Sequence, residues 1–524
     1  MNAHESPEAD RRLLPGLSST RAIHRGAGAL AELHRLQEGQ GLTTDVATRL
    51  ATTAASAVLE QHQGSGHDLR DAVTLLCELA SLDDPALSRI GVHGLFPRLV
   101  EPLGDAFTAE SCASYNQLFA QVIQYCRGQP TGAALDRQLR HFGLVTESDL
   151  LARPTRLPRP SRFEVERAPR IKKAFVLSRV TLGADIAVTS VVLAALKQVF
   201  PTATLRLVAN AKTHQLFAGD RRVQLCAIEY PRSGGLIERL SSWQQTVEAL
   251  QQETLELDPT EYVIVDPDSR LTQLGMLPLV PDERSYIFFE SRSYRAAGLQ
   301  KLGALTAHWL QQVFAMAEPL YPYCAPSPPD VAAAQLLSDT LKRHGPGPIV
   351  SVNLGVGANP AKRLSDPFEF RLLTRLLSAG ATIILDKGGD PEEVARIETL
   401  VATLGGQGFR ALALDEHRDA MSLPAALSGM RLLTWQGGIG RFAALIAEST
   451  AYIGYDSAGQ HIAAALGVPT IDIFTGFSSP RMPERWSPHG RGFVHVLVLD
   501  ATETYPTARL DAIVDEVLAH VPGI

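Results

Sequence analysis

Ala451-Tyr452-Ile453-Gly454-Tyr455-Asp456-Ser457-Ala458-Gly459-Gln460-His461, running on into Ile462-Ala463-Ala464-Ala465-Leu466-Gly467, joins a strand pattern to a helix pattern with nothing between them. Ala451 to Tyr455 is apolar and compact, as a buried strand requires. Asp456 interrupts it, and a helix of small residues begins at once. The first turn of such a helix offers unpaired backbone N–H groups and the positive end of the helix dipole. Small side chains there let a phosphate approach closely, so strand–DSAG–helix describes an anion site at the end of a sheet. The simpler alternative is that Asp456 and Ser457 only cap the helix.

Working outward from this stretch, the same alternation recurs on both sides. Downstream lie strands Thr470–Phe474 and Val494–Leu499 and a last helix Arg509–His520. Upstream, from Val331, helix and strand patterns alternate through strands Ile349–Leu354, Thr382–Leu385 and Phe409–Leu414. A Pro-rich stretch, Pro319 to Pro329, precedes that series. Before it another begins at strand Ile171–Ser178 and helix Asp185–Phe200, with later strands at Thr204–Asn210, Val223–Tyr230, Tyr262–Asp266 and Tyr286–Glu290. Continuous apolar strands separated by helices imply parallel sheets covered on both faces. The expected class is α/β, with two doubly wound domains facing a cleft. Ligands in such sheets bind beyond the carboxyl ends of the strands.

Residues 1–155 read differently. Amphipathic runs such as Asp45–Gln61 and Ala113–Cys126 are broken by Gly and Pro, no strand pattern occurs, and no repeat emerges. They predict a separable all-α N-terminal domain. The Pro- and Arg-rich segment 156–170 is expected to be a linker, its basic charges solvated, with contact to anionic lipid or an acidic substrate as the alternative. The remaining boundaries place one α/β domain at 171–325 and the other at 326–524.

The 524-residue chain carries a formal net charge of −7, with 45% hydrophobic and 20% charged residues. That composition is of a globular protein, and the charge argues against nucleic acid as a partner. The start of the sequence has no secretory h-region, and no run looks apolar enough to span a membrane. Five cysteines without CxxC spacing suggest a reduced, cytoplasmic protein lacking structural zinc. Peripheral attachment at the inner face of a membrane is left open.

Four loops carry candidate chemistry. In Ser178-Arg179-Val180-Thr181-Leu182-Gly183-Ala184-Asp185, Asp185 either caps the following helix or presents a general base to the cleft. Asn353-Leu354-Gly355-Val356-Gly357-Ala358-Asn359-Pro360-Ala361-Lys362-Arg363 combines glycines with two cations suited to a diphosphate, without Walker spacing. Asp386-Lys387-Gly388-Gly389-Asp390-Pro391-Glu392-Glu393 offers acidic residues to ribose hydroxyls or simply to a helix start. Trp435-Gln436-Gly437-Gly438-Ile439-Gly440-Arg441 resembles GxGxxG loosely and opens a helix. Asp266-Pro267-Asp268 has the form of a DxD metal motif, but no His or Glu stands at ligand spacing, so no metal site is assigned.

Taken together, VTLGADIAVTSVVLAALKQVFP, YVIVDPDSRL, NLGVGANPAKR, LDKGGDPEE and AYIGYDSAGQHIAAALGVPTIDIF resemble glycosyltransferase family 9, the lipopolysaccharide heptosyltransferases, over about residues 171–524. The resemblance implies a GT-B fold of two Rossmann-like domains, the first binding acceptor and the second the nucleotide-sugar donor. It implies Asp185 as the catalytic base. It puts Gly357, Lys362, Arg363, Glu392, Gly438, Asp456, Ser457, Ala458, Gly459 and His461 around the donor. Arg179, Thr181, Asp266 and Arg270 fall on the acceptor side. Two departures stand out: Ala184 separates Gly183 from Asp185, and the glycine of the family's DSG is displaced to Gly459.

The function expected is an inverting, metal-independent glycosyl transfer from a nucleotide-diphosphate sugar to a hydroxyl of a glycan, lipid-linked or protein acceptor, in cell-envelope or other glycan assembly. No cofactor is expected beyond the sugar nucleotide itself. Two alternatives remain: a sugar-nucleotide epimerase of GT-B fold, and a non-catalytic nucleotide-sugar-binding protein whose helical domain binds a protein partner.

Overall fold

In the computed structural model of the chain, the described residues are 15–39, 41–61, 70–157, 163–231, 234–357, 359–416 and 429–524. Ala358 of the second loop and residues 158–162 of the expected linker lie outside them. By internal contacts the chain forms two compact units, one of residues 1–155 with 231–244, the other of residues 156–230 with 245–524.

The first unit is helical. Its helices are Pro15–Glu38, Thr44–Gln61, Arg70–Ala80, Pro85–Leu95, Ala109–Arg127, Ala133–His141 and Glu147–Arg156, with a short turn of helix at Glu101–Asp105. Glycines let them meet closely: a Cβ on Gly91 would stand 2.2 Å from the Ala80 amide nitrogen. Residues 231–244, which the sequence reading placed within the first α/β domain, supply Trp243 to this unit. Trp243 is 1% exposed, and its ring lies 6.0 Å from that of Phe142.

The second unit contains two parallel sheets. The first has strands β1 (Lys173–Leu177), β2 (Thr204–Ala209), β3 (Val223–Ala227), β4 (Tyr262–Asp266) and β5 (Tyr286–Phe288), in the order β3-β2-β1-β4-β5. The second has β6 (Ile349–Asn353), β7 (Thr382–Asp386), β8 (Ala411–Asp415), β9 (Leu432–Gln436), β10 (Ala451–Tyr455), β11 (Thr470–Phe474) and β12 (Val494–Val498), in the order β12-β11-β10-β6-β7-β9-β8. Every pairing is parallel, for example Gly454 with Asn353 on one side and Asp472 on the other. Helices cover both sheets, giving the two doubly wound halves that the resemblance implies. The expected α/β class holds.

Some readings differ from the structure. The sequence reading assigns no strand between Phe409–Leu414 and Ala451–Tyr455, whereas Leu432–Gln436 forms β9, a short apolar run that merges with the glycines that follow. The helix after β1 begins at Leu182 and passes through a π-turn at Asp185–Thr189 before continuing to Val199. Asp185 therefore lies inside it, not at its start. Leu182–Val199 does have the length and apolarity of a membrane span, but 67% of it is buried, as befits a core helix. Of the Pro/Arg-rich segment, Val165–Arg170 is a 3-10 helix, and the Phe163 ring packs against Phe200 and Phe314 at 5.3 and 5.5 Å.

Candidate functional site

The carboxyl ends of β6, β7 and β10 converge on the stretch with which the sequence reading began. Gly454 follows from packing: a Cβ there would stand 2.5 Å from the Tyr452 hydroxyl. At Gly459 the figure is 2.1 Å. The displaced glycine is thus required because the Tyr452 hydroxyl fills the floor of the turn.

The cap reading of this turn fails. Ser457 is the N-cap residue of helix Ala458–Leu466, but no side chain caps that helix. Asp456 turns away from the helix amides and accepts from Lys362 Nζ at 2.6 Å and from Gln460 Nε2 at 2.8 Å. Lys362 reaches it from the loop after β6, where Asn359 caps the short helix Pro360–Lys362. The loop after β11 clasps that segment: Gly476, with φ 61°, leaves the space of its side chain to the Ala361 carbonyl. His461 is buried, its ring edge against Trp486 and close to Gly183 of the other half. Burial pulls its pKa down to about 4, with Asp456 opposing and Lys362 assisting. The imidazole is therefore neutral at neutral pH.

The other expected donor loops are held by the chain's own carboxylates. Glu393 Oε1 accepts from the Val356 and Gly357 amides at 2.7 and 2.8 Å. Glu392, the residue expected at the ribose, is exposed, while its neighbour faces the glycine loop. A helix start at Pro391 rotates consecutive positions by about 100°, and sequence alone did not say which one turned inward. Arg363 binds Glu369 at 2.9 Å and also Asp366, and Glu369 pairs with Arg396 too, so this cation is committed to a buried network. The Gly438 amide donates to Glu416 at 2.5 Å, and that of Gly440 to Gln215 of the other half at 3.3 Å. Asp386, at the end of β7, bonds the Asn353 side chain at 2.6 Å and the Gly388 amide at 3.2 Å. Burial pushes its pKa up to about 6.

In the half built on β1 to β5, Asp185 is fully buried and accepts four hydrogen bonds. Ser178 Oγ and Thr213 Oγ1 reach Oδ2 at 2.7 and 3.2 Å, while the Arg179 amide and Thr189 Oγ1 each reach Oδ1 at 2.8 Å. Burial raises its pKa, against the pull of those donors. The bonds to Ser178 and Arg179 hold the loop at Val180, a β-branched residue at φ 63°. Arg179 is buried, donates to Ser291 at 2.7 Å and lies 5.9 Å over the Trp486 ring. Burial, then nearby Arg292, lowers its pKa to about 10, so it remains charged. Half-buried Arg270 adds to this cationic field, and Thr181 is exposed at the same loop. Asp266 takes no part in a cleft: it is buried and bonded to the Ser269 amide at 2.7 Å, to Thr272 at 2.5 Å and to the Tyr286 hydroxyl. Asp268 pairs with Arg292 at 2.8 Å. Among the described residues no group of three or more metal-capable side chains occurs.

Two doubly wound parallel sheets carry, at the end of β10, a lysine beside a helix N-terminus that no side chain caps. The family described as glycosyltransferase family 9 (heptosyltransferase) matches residues 430–511, the segment that holds β9, β10, the DSAG turn and β11. No curated protein matches the chain. Among solved structures, a family 9 glycosyl transferase from Veillonella parvula is 16% identical, with 69% of this chain and 94% of that one covered and a TM-score of 0.47. The ADP-heptose lipopolysaccharide heptosyltransferase II of E. coli is also 16% identical, covering 67% and 98%, TM-score 0.43. An E. coli heptosyltransferase solved with ADP is 14% identical, covering 66% and 99%, TM-score 0.42.

Proposed function

We propose that the α/β unit transfers a sugar from a nucleotide-diphosphate donor to a hydroxyl acceptor, with inversion at the anomeric carbon and without a metal ion. One observation carries the donor side. The helix starting at Ala458 has no side-chain cap at its N-terminus, and Lys362 and His461 stand around it. A diphosphate there would meet backbone N–H groups and the helix dipole, and Lys362 would exchange Asp456 for a phosphate oxygen. Charge growing on the leaving group would be stabilised by donors already in place. Neutral His461 supplies shape and a hydrogen bond there, without added charge.

Asp185 is the proposed base. Its raised pKa suits proton abstraction. All four lone-pair positions of its carboxylate are in use, so an acceptor hydroxyl must displace a donor. The Thr213 contact is the longest of the four and comes from a separate helical turn, which makes it the bond to yield. The same saturation favours a second reading, in which the unit binds a sugar nucleotide without turning it over. We further propose that the transfer serves cell-envelope or other glycan assembly on the cytoplasmic side; support for this comes from the family of the 430–511 segment.

The test is direct. Purified full-length protein is incubated with ADP-, GDP-, UDP- and dTDP-sugars, and release of the nucleoside diphosphate is followed with and without glycan acceptors. Turnover lost in Asp185→Asn and in Lys362→Ala supports transfer. Binding without release from any donor supports the second reading. Conversion of the sugar nucleotide alone to an isomer would make the protein an epimerase.

A further inference from the structure

Asp472 lies in the middle of β11 and is used by neither step above. It is paired in register with Gly454, so both point to one face of the sheet, a strand spacing of about 4.8 Å apart. Its side chain is fully buried, and neither carboxylate oxygen has a hydrogen-bond partner among the described residues. The space that a Gly454 side chain would fill holds the Tyr452 hydroxyl, which extends under Gly459 and neighbours the Ser457 hydroxyl. A file of buried polar groups therefore runs from Asp472 past Tyr452 and Ser457 to the bare end of helix Ala458–Leu466, and, like the carboxylate, neither hydroxyl has a hydrogen-bond partner among the described residues.

The charges facing Asp472 come from several elements: Asp456 at the turn, Lys362 from the loop after β6 and Lys301 from the other half. Tyr452 flanks it on β10 and also feels Asp386 from β7. Burial, then Asp456, drives the Asp472 pKa well above the ordinary carboxylate range, and the two lysines and the Ile473 amide only partly oppose this. An ionised carboxylate there would be a second negative charge beside Asp456. It would repel the very ligand that Lys362 attracts. A protonated one has an O–H to offer the Tyr452 hydroxyl and adds no charge.

We propose that Asp472 works as a neutral acid, a positioning residue that holds the diphosphate-binding turn through Tyr452 and Ser457 while leaving the Lys362 charge to the phosphates. The proposal rests on the reading of the turn as a diphosphate site. It does not depend on which nucleotide is used, so inorganic pyrophosphate serves as the probe.

The experiment titrates full-length protein with pyrophosphate by calorimetry at pH 7 and compares variants. Asp472→Asn, which mimics the neutral acid, is expected to bind within about twofold of the parent. Asp472→Leu and Tyr452→Phe, which break the file, are each expected to lose about fivefold, the scale of one neutral hydrogen bond. The double variant should lose no more than either single one. Binding at least about tenfold tighter in Asp472→Asn would show that the native residue is charged, and would overturn the proposal. So would clearly weaker binding in that variant, or parental binding in Tyr452→Phe. Tyr452→Phe alone decides this point if Asp472→Leu does not fold. A parent that ignores pyrophosphate would instead overturn the donor-site reading, and the proposal with it.

A second measurement needs no ligand. The folded pKa lies above the unfolded one, so the unfolded chain releases a proton that the folded chain keeps as pH rises above about 4. Asp472→Asn should then be the more thermally stable protein at pH 7, with the gap closing towards pH 4. A gap of opposite sign, or none, would mean that Asp472 is ionised in the fold, and the proposal fails.

Discussion

Lys362→Ala tests the donor site most sharply, because the structure says what the lysine does before ligand arrives. Its Nζ sits 2.6 Å from Asp456 Oδ2, and the two side chains are 21% and 9% exposed. A charge-assisted hydrogen bond to phosphate is worth about 1.5–3 kcal/mol. Binding is an exchange, however: Lys362 must give up Asp456, and Asp456 keeps the Gln460 bond at 2.8 Å. The net loss in Lys362→Ala should therefore fall near the lower end, about 2 kcal/mol, or roughly thirtyfold in Kd. The variant also leaves a largely buried carboxylate with one fewer partner, so thermal stability should drop by about 1–3 kcal/mol. Calorimetric titration well below the unfolding transition separates the two effects. Each nucleoside diphosphate is compared with its own nucleoside, which has no phosphate for the lysine to meet. The diphosphate should lose its roughly thirtyfold while the nucleoside changes by less than about twofold. Equal losses for both ligands, or no loss in either, would refute the reasoning and leave Lys362 as a structural partner of Asp456.

Further outcomes are expected. In Asp185→Asn the amide nitrogen can face the Ser178 and Thr213 hydroxyls, both able to accept, so the fold should persist while turnover falls by about 10²–10⁴; steady-state kinetics with circular dichroism checks both halves of that statement. Transfer should continue in EDTA; abolition by the chelator with recovery on adding manganese or magnesium would show that a metal is needed. His461 has a folded pKa of about 4 against an ordinary 6.5, so the unfolded chain takes up a proton that the folded one refuses. Stability should decline as pH falls from about 6.5 to about 4, and His461→Phe should flatten that decline in thermal melts. Glu369, 1% exposed between Arg363 and Arg396, is a buried partner of two cations, and Glu369→Ala should cost about 3–5 kcal/mol in denaturant unfolding.

Much of the fold was legible because its signals are local. Apolar runs, glycine at strand ends and small residues after Asp456 reflect a chain that must bury strands on both faces and turn tightly at their ends. The helical character of the first 155 residues was equally plain in its periodicity. What escaped was short or rotational. β9 is five residues long and runs into glycines, so its pattern could not be told from a loop. Glu392 and Glu393 are adjacent in sequence, and only the phase of helix Pro391–Gly406 chose Glu393 for the glycine loop. The sequence by itself determined the two-sheet class, the strand–DSAG–helix turn and the cations able to serve it, since each depends on residues within a few positions of one another. Tertiary structure alone decided which of those groups are still available: Glu369 claims Arg363, Glu416 claims Gly438, four donors surround Asp185, and the Tyr452 hydroxyl and Asp472 lie beneath the turn. Burial and hydrogen-bond partnership come from distant segments brought together by packing, and no local pattern records them.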